Sequence, residues 1–280
     1  MQEMLQKKHD DLLQSLSEDD KTIFIDNVMI TRALGAIPRG RKNLLLNNQV
    51  AANLNILLLK KKHSGDLCIC GLPNSTNHYE LCPRCHNVSS NSHYRHNAIR
   101  DTIVNAINQA KESIASKEPD VFEGHTLHDT NSSRADILIK PKDISTNHQF
   151  HGMYDLMIKA ANSAHTSRRR SAARAKAIIA GIKDVTTIKH KEIKAALDVG
   201  VQFKKESYQL AANHGIKVTP LLISTGGTFH KTTYQFLKKH FPDADQRNWL
   251  LTDIAIILAR VCAQIYTCNI ELMDMDNTQF

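Results

Sequence analysis

Aromatic residues are scarce in this 280-residue chain: Phe, Trp and Tyr make up 5% of it, so its cores must rest on Leu, Ile, Val and Ala. Long hydrophobic runs are missing as well. The apolar stretches at 44–46 and 56–59 are far too short to cross a bilayer, and the most apolar segment, 249–266, is interrupted by Asp253, Arg260 and Gln264. That segment reads as a buried helix. Residues 1–21 are polar and charged, unlike a secretory leader, so the chain is expected not to be secreted and to have no membrane partner. There is no internal repeat and no long low-complexity tract.

Positive charge, by contrast, is plentiful. Thirty-six Lys and Arg stand against 28 Asp and Glu, a net +8 with 15 His in reserve. Such an excess suits a polyanionic partner, because each basic group set on a phosphate releases condensed counterions.

The six cysteines are unevenly placed, with four between Cys68 and Cys85. Without an export signal, that clustering argues for a metal rather than for disulfides. Cys68, Cys70, His78 and Cys82 supply four soft or borderline ligands at short spacing, which zinc takes in a tetrahedron. Gly71 follows the first pair, where a tight turn around the ion is needed. Cys85 is an alternative partner for Cys82, and His86 and His93 are further alternatives. Four protein ligands leave no open position for water, so this zinc is expected to be structural.

The hydrophobic pattern gives an α/β protein. A charged helix opens the chain, a second helix covers 47–62, and 98–113 carries Ile99, Ile103, Ala106, Ile107 and Ala110 on one face. Short strands are expected at 135–139, 150–158 and 217–224. Between the second and third strands lie a basic helix, 166–182, and another at about 189–213. Two helices, near 232–240 and 246–266, follow.

Two acids fall on neighbouring strands. Asp136 opens one, and Asp155 lies inside the apolar run from Met153 to Ile158, where a charge is costly to bury unless it is paired or binds a cation. Two such carboxylates can share a hard divalent ion, Mg²⁺ or Mn²⁺, which activates water and stabilises charge on a scissile phosphate. A lysine beside the metal helps to neutralise the developing oxyanion. In the usual nuclease signature that lysine sits two residues after the second acid, where this chain has Met157. Lys159 lies on the same strand face, and Lys204 and Lys205 on the following helix are the stronger alternatives. Arg168, Arg169, Arg170, Arg174 and Lys176 would track phosphates from the basic helix.

The order of these features resembles a known family. Ala36-Ile37-Pro38 is followed by a helix, by Cys-x-Cys-Gly with a later His-x-x-x-Cys, and by Arg95-His96-Asn97 before an amphipathic helix. Then come Arg-x-Asp, a strand with an internal Asp, and Lys204-x-x-x-Tyr208. Over roughly 33–230 this is similar to the region downstream of the reverse transcriptase in non-LTR retrotransposon polyproteins with a restriction-like endonuclease. The resemblance implies a PD-(D/E)XK fold, a short mixed sheet flanked by helices, that nicks target DNA during integration. It also implies metal-binding roles for Asp136 and Asp155, a displaced catalytic lysine at Lys204, and nucleic-acid contacts at Arg134 and His96. DNA, element RNA and a reverse transcriptase encoded on the same element are the implied partners, and the nucleus the implied location. Ala135 stands where the family has proline, and no Tyr-x-Asp-Asp occurs, so this chain does not copy RNA by itself.

The expected organisation is a helical segment (1–64), a zinc knuckle (65–97), the endonuclease domain (98–270) and a tail (271–280). Two other outcomes are consistent with the same sequence: a catalytically inactive nucleic-acid-binding remnant, and a structural zinc protein engaging other proteins.

Overall fold

A computed structural model describes residues 2–36, 45–58, 86–110, 113–122, 134–142, 152–161 and 163–276. The zinc quartet Cys68, Cys70, His78 and Cys82, with Cys85, lies outside the described residues.

Helices α1 (Gln2–Ser15), α2 (Glu18–Asp26), α3 (Val28–Leu34) and α4 (Asn47–Leu57) come first. Ser17 caps α2 by accepting from the Asp20 N–H. Helix α5 (His86–Gln109) leads into strands β1 (Ser113–Lys117), β2 (Ile137–Pro141) and β3 (Gly152–Lys159). Helices α6 (Ser167–Ile179), α7 (Val185–Ser207) and α8 (Gln209–Asn213) precede strand β4 (Val218–Ser224), and α9 (Lys231–His240) and α10 (Ala244–Asp276) end the fold.

Among the described residues the strands form one sheet in the order β1-β2-β3-β4. The first two pairings are antiparallel and β3–β4 is parallel. A parallel neighbour requires a crossover, and α6 and α7 make it. The protein is therefore mixed α/β, a small sheet with helices on both faces.

Alternation along the strands assigns the two faces. Ile137, Ile139, Tyr154, Leu156, Leu221 and Ile223 join Ile99, Ile103 and Ile107 of α5 and Ile254, Leu258 and Ala259 of α10 in the main core. Leu222 and Met157 point the other way, against Ile193, Leu197 and Val201 of α7. Asp155, between Tyr154 and Leu156, shares that second face.

Several boundaries differ from the sequence reading. The first strand after α5 was missed, because only Ala115 of β1 is buried and the rest reads as loop. The helix expected over 98–113 begins at His86, inside the span given to the knuckle, and ends at Gln109. The expected 189–213 helix is two, α7 and α8. The N-terminal helices are part of the same body: Met29 and Ala33 belong to the main core, and Leu13 and Ile25 pack with α7. No described helix is long and apolar enough to cross a membrane.

Candidate active site

The register between β2 and β3 builds the site. Ile137 pairs with Tyr154, so the residue before one and the residue after the other, Asp136 and Asp155, stand opposite each other on the α7 face. The Asp136 N–H donates to the Tyr154 carbonyl at 3.0 Å, which carries the ladder up to the acid. The carboxyls approach closely enough to share a hydrogen bond.

Each acid has a distinct environment. Asp136 Oδ2 accepts from the Leu156 N–H at 2.6 Å and faces His96 Nε2 at 3.2 Å. Burial raises the Asp136 pKa, but the His96 bond, the bond shared with Asp155 and the Leu156 N–H together bring it below the ordinary value. Asp155 is 3% exposed. Burial pushes it up to about 7, the bond with Asp136 adds to that, and Lys204 opposes both. A carboxylate pair that cannot easily carry two negative charges keeps one proton on its more buried member.

Two cations face the pair. Lys204, in the last turn of α7, places Nζ 2.6 Å from Asp155 Oδ2. His96, on α5, has Nε2 at 3.0 Å from the Leu156 carbonyl as well as near Asp136, and Nδ1 at 3.2 Å from Asn97 Oδ1. With acceptors on both ring nitrogens, the imidazolium form is favoured. Burial lowers its pKa, and the Asp136 bond and charge more than offset this, so the net shift is upward.

Helix α7 reaches the acids because Gly200 lets it lie close to the sheet. A Cβ there would sit 2.3 Å from Leu222 Cδ2 and 3.2 Å from Met157 Sδ. One turn further on, Lys204 faces Asp155, and one turn beyond that comes Tyr208. The Tyr208 hydroxyl donates to the Arg134 carbonyl at 2.9 Å, just ahead of Asp136. Burial and then the charges of Asp155 and Asp136 raise the Tyr208 pKa. Its role escaped sequence reasoning, although its spacing of four from Lys204 on a helix was the available signal.

Other expected site residues fall elsewhere. Lys205 is exposed and makes no contact with the acids. Lys159, half-buried with its pKa lowered by desolvation, has its stem beside Gly200, a turn away from Lys204. Arg134 is exposed beside the site and contributes its carbonyl. Arg174 is tied to Glu18 at 2.7 Å, and Arg170 is partly buried, whereas Arg168 and Arg169 are exposed. Two of the four arginines assigned to phosphates thus have structural surroundings. Ala135, where the resembled family has proline, donates its N–H to the Pro119 carbonyl at 3.1 Å, a bond that proline cannot make.

Two clustered carboxylates offer oxygen ligands of the kind that Mg²⁺ and Mn²⁺ prefer. Among the described residues no group of three or more His, Cys, Asp or Glu forms a ready cage. The donor set suits an ion that keeps much of its water and takes further ligands from a phosphate, as Mg²⁺ commonly does. Compared with protein-family models and with curated proteins, the chain matches none.

Proposed function

We propose that this chain is a metal-dependent nuclease that cleaves phosphodiester bonds in DNA. The observation that carries the reading is the meeting of Asp136, Asp155 and Lys204, from two strands and a helix far apart in sequence, on one side of the sheet. The sequence of elements (a helix, three antiparallel strands, a helical crossover and a parallel fourth strand) supports a restriction-like core.

Asp136 and Asp155 would hold Mg²⁺ or Mn²⁺, which supplies an activated water and charge neutralisation at the scissile phosphate when bound. His96 and the Leu156 N–H fix the orientation of Asp136 by occupying its Oδ2. Lys204 is positioned to exchange its pairing with Asp155 for contact with the developing phosphorane oxygens. Tyr208 steadies the chain at Arg134. The knuckle of Cys68, Cys70, His78 and Cys82, with zinc, would add a second grip on nucleic acid. The resemblance to non-LTR retrotransposon polyproteins extends the proposal to target-DNA nicking in the nucleus, beside a reverse transcriptase and element RNA.

The test is nicking of supercoiled plasmid by purified protein with Mg²⁺ or Mn²⁺, beside Asp155→Ala and a chelator control. Metal-dependent nicking that is lost in the variant is the expected result. A folded, zinc-loaded wild type that binds DNA without nicking it would establish the inactive nucleic-acid-binding remnant instead.

A further inference from the structure

Apart from Lys204, which faces the acids, and Lys189, which is buried against Glu192, the lysines of α7 form a line of their own. One step along an α-helix turns the side chain by about 100°, so Lys205 leaves the acid-facing side that Lys204 occupies. Lys194 and Lys191 return to the Lys205 edge about three and four turns earlier. All three are exposed, and no acidic partner engages them among the described residues. The acids of the same helix are occupied. Glu192 is buried against Lys189 at 3.0 Å, Glu206 accepts from Gln202 at 2.9 Å, and Asp198 is engaged by His230 at 2.9 Å. The edge thus carries three free lysines, with Asp198, held by His230, between Lys194 and Lys205, and it begins one residue past Lys204.

We propose that Lys205, Lys194 and Lys191 form a phosphate-binding rail that guides one nucleic-acid strand away from the cleavage site along α7. This rests on the nuclease reading and adds the path of the substrate to it. From Lys205 to Lys191 the helix rises about 20 Å. That length matches about six base pairs of duplex at 3.4 Å per step along each strand. The rail also gives Lys205 a role that its distance from the acids denies it in the chemistry.

The test uses the full chain carrying Asp155→Asn, so that binding is read without cleavage, and a fluorescent DNA duplex of about 30 base pairs titrated across salt concentrations. Replacing Lys191, Lys194 and Lys205 together by Gln is expected to flatten the slope of log K against log salt by about 2.7, and Lys194→Gln alone by about 0.9. Circular dichroism of each variant should match the parent. If the parent binds with a steep salt slope and the triple and single variants keep it, the rail is overturned while the nuclease reading stands. If the parent itself binds no duplex, the nuclease reading fails, and the rail with it.

Discussion

Lys204 Nζ lies 2.6 Å from Asp155 Oδ2, a contact that joins the last turn of α7 to the middle of β3. The pairing lets a carboxylate occur in an otherwise apolar strand, and it sets a cation beside the place where a phosphate would be cut. Replacing Lys204 by Met should reduce nicking by roughly 10²–10³-fold, the range found when a single oxyanion-stabilising donor is lost. Lys204→Arg keeps the charge and should recover part of the rate. Single-turnover cleavage by the two variants decides the matter: equal losses would mean that charge at this position does not serve the chemistry.

Gly200 controls whether Lys204 arrives there. In Gly200→Ala the new methyl meets Leu222 Cδ2, a fully buried atom with little room to move. Overpacking of this kind costs about 1–3 kcal/mol. The helix should lift from the sheet, so activity should fall in parallel with the midpoint of urea denaturation. A variant with wild-type stability and wild-type activity would show that the close approach of α7 is not needed.

How much of this was legible beforehand varied by element. Asp155 announced itself, because a lone charge in the run from Met153 to Ile158 has few explanations. Asp136 followed from its place at a strand opening, and the cross-strand register then brought the two together. The residues alone ranked Lys204 and Lys205 above Lys159 without separating the two, and only the resemblance pointed to Lys204; it is the seating of α7 on Gly200 that sets Lys204 beside Asp155. Strand β1 was invisible for another reason. With Ala115 as its single buried residue, it is held by pairing to β2 rather than by a hydrophobic pattern. The attachment of the N-terminal helices was likewise hidden, because it depends on contacts between distant segments such as Ser224 Oγ donating to Asp26 at 2.6 Å.

The raised pKa of Asp155 makes a pH-dependent statement about stability. Its folded value of about 7 lies above the ordinary 3.8 of an aspartate, so the folded state retains the proton longer than the unfolded chain does. The sign follows from linkage: stability is intact below pH 4 and is lost progressively as pH rises to about 7. Asp155→Asn removes this loss. In chelator the variant should match the parent near pH 4 and exceed it at pH 8 by about 2–4 kcal/mol, on a scale of about 1.4 kcal/mol per pKa unit. A stability difference that stays constant from pH 4 to pH 8 would overturn the assignment. The same substitution should abolish cleavage, so the site would be stabilised at the expense of its activity.

Glu18 tests the attachment of the N-terminal helices with the opposite sign. Its carboxylate receives Lys189 at 2.9 Å, Lys21 at 2.9 Å and Arg174 at 2.7 Å, linking α2 to both crossover helices. Partial burial raises its pKa, but these cations bring it down to about 2, against an ordinary 4.5 for a glutamate. The contribution to stability is therefore present above pH 4.5 and disappears as pH falls towards 2. The side chain is 45% exposed, so solvent screens the pairs and the effect should be about 1 kcal/mol. Lys189, 3% exposed, keeps Glu192 as a partner when Glu18 is gone, which limits the damage further. Glu18→Gln should thus lower the unfolding midpoint modestly at pH 7, with the difference shrinking as pH falls below 4.5 and vanishing only once it passes below about 2. Deleting residues 1–36 is a harsher intervention, because Met29, Ile30 and Ala33 are core residues and Asp26 leaves Ser224 without its acceptor. That truncation should fail to give a cooperative unfolding transition. A deletion product that unfolds cooperatively and nicks DNA would mean that the helices before residue 37 are an appendage rather than part of the folded body.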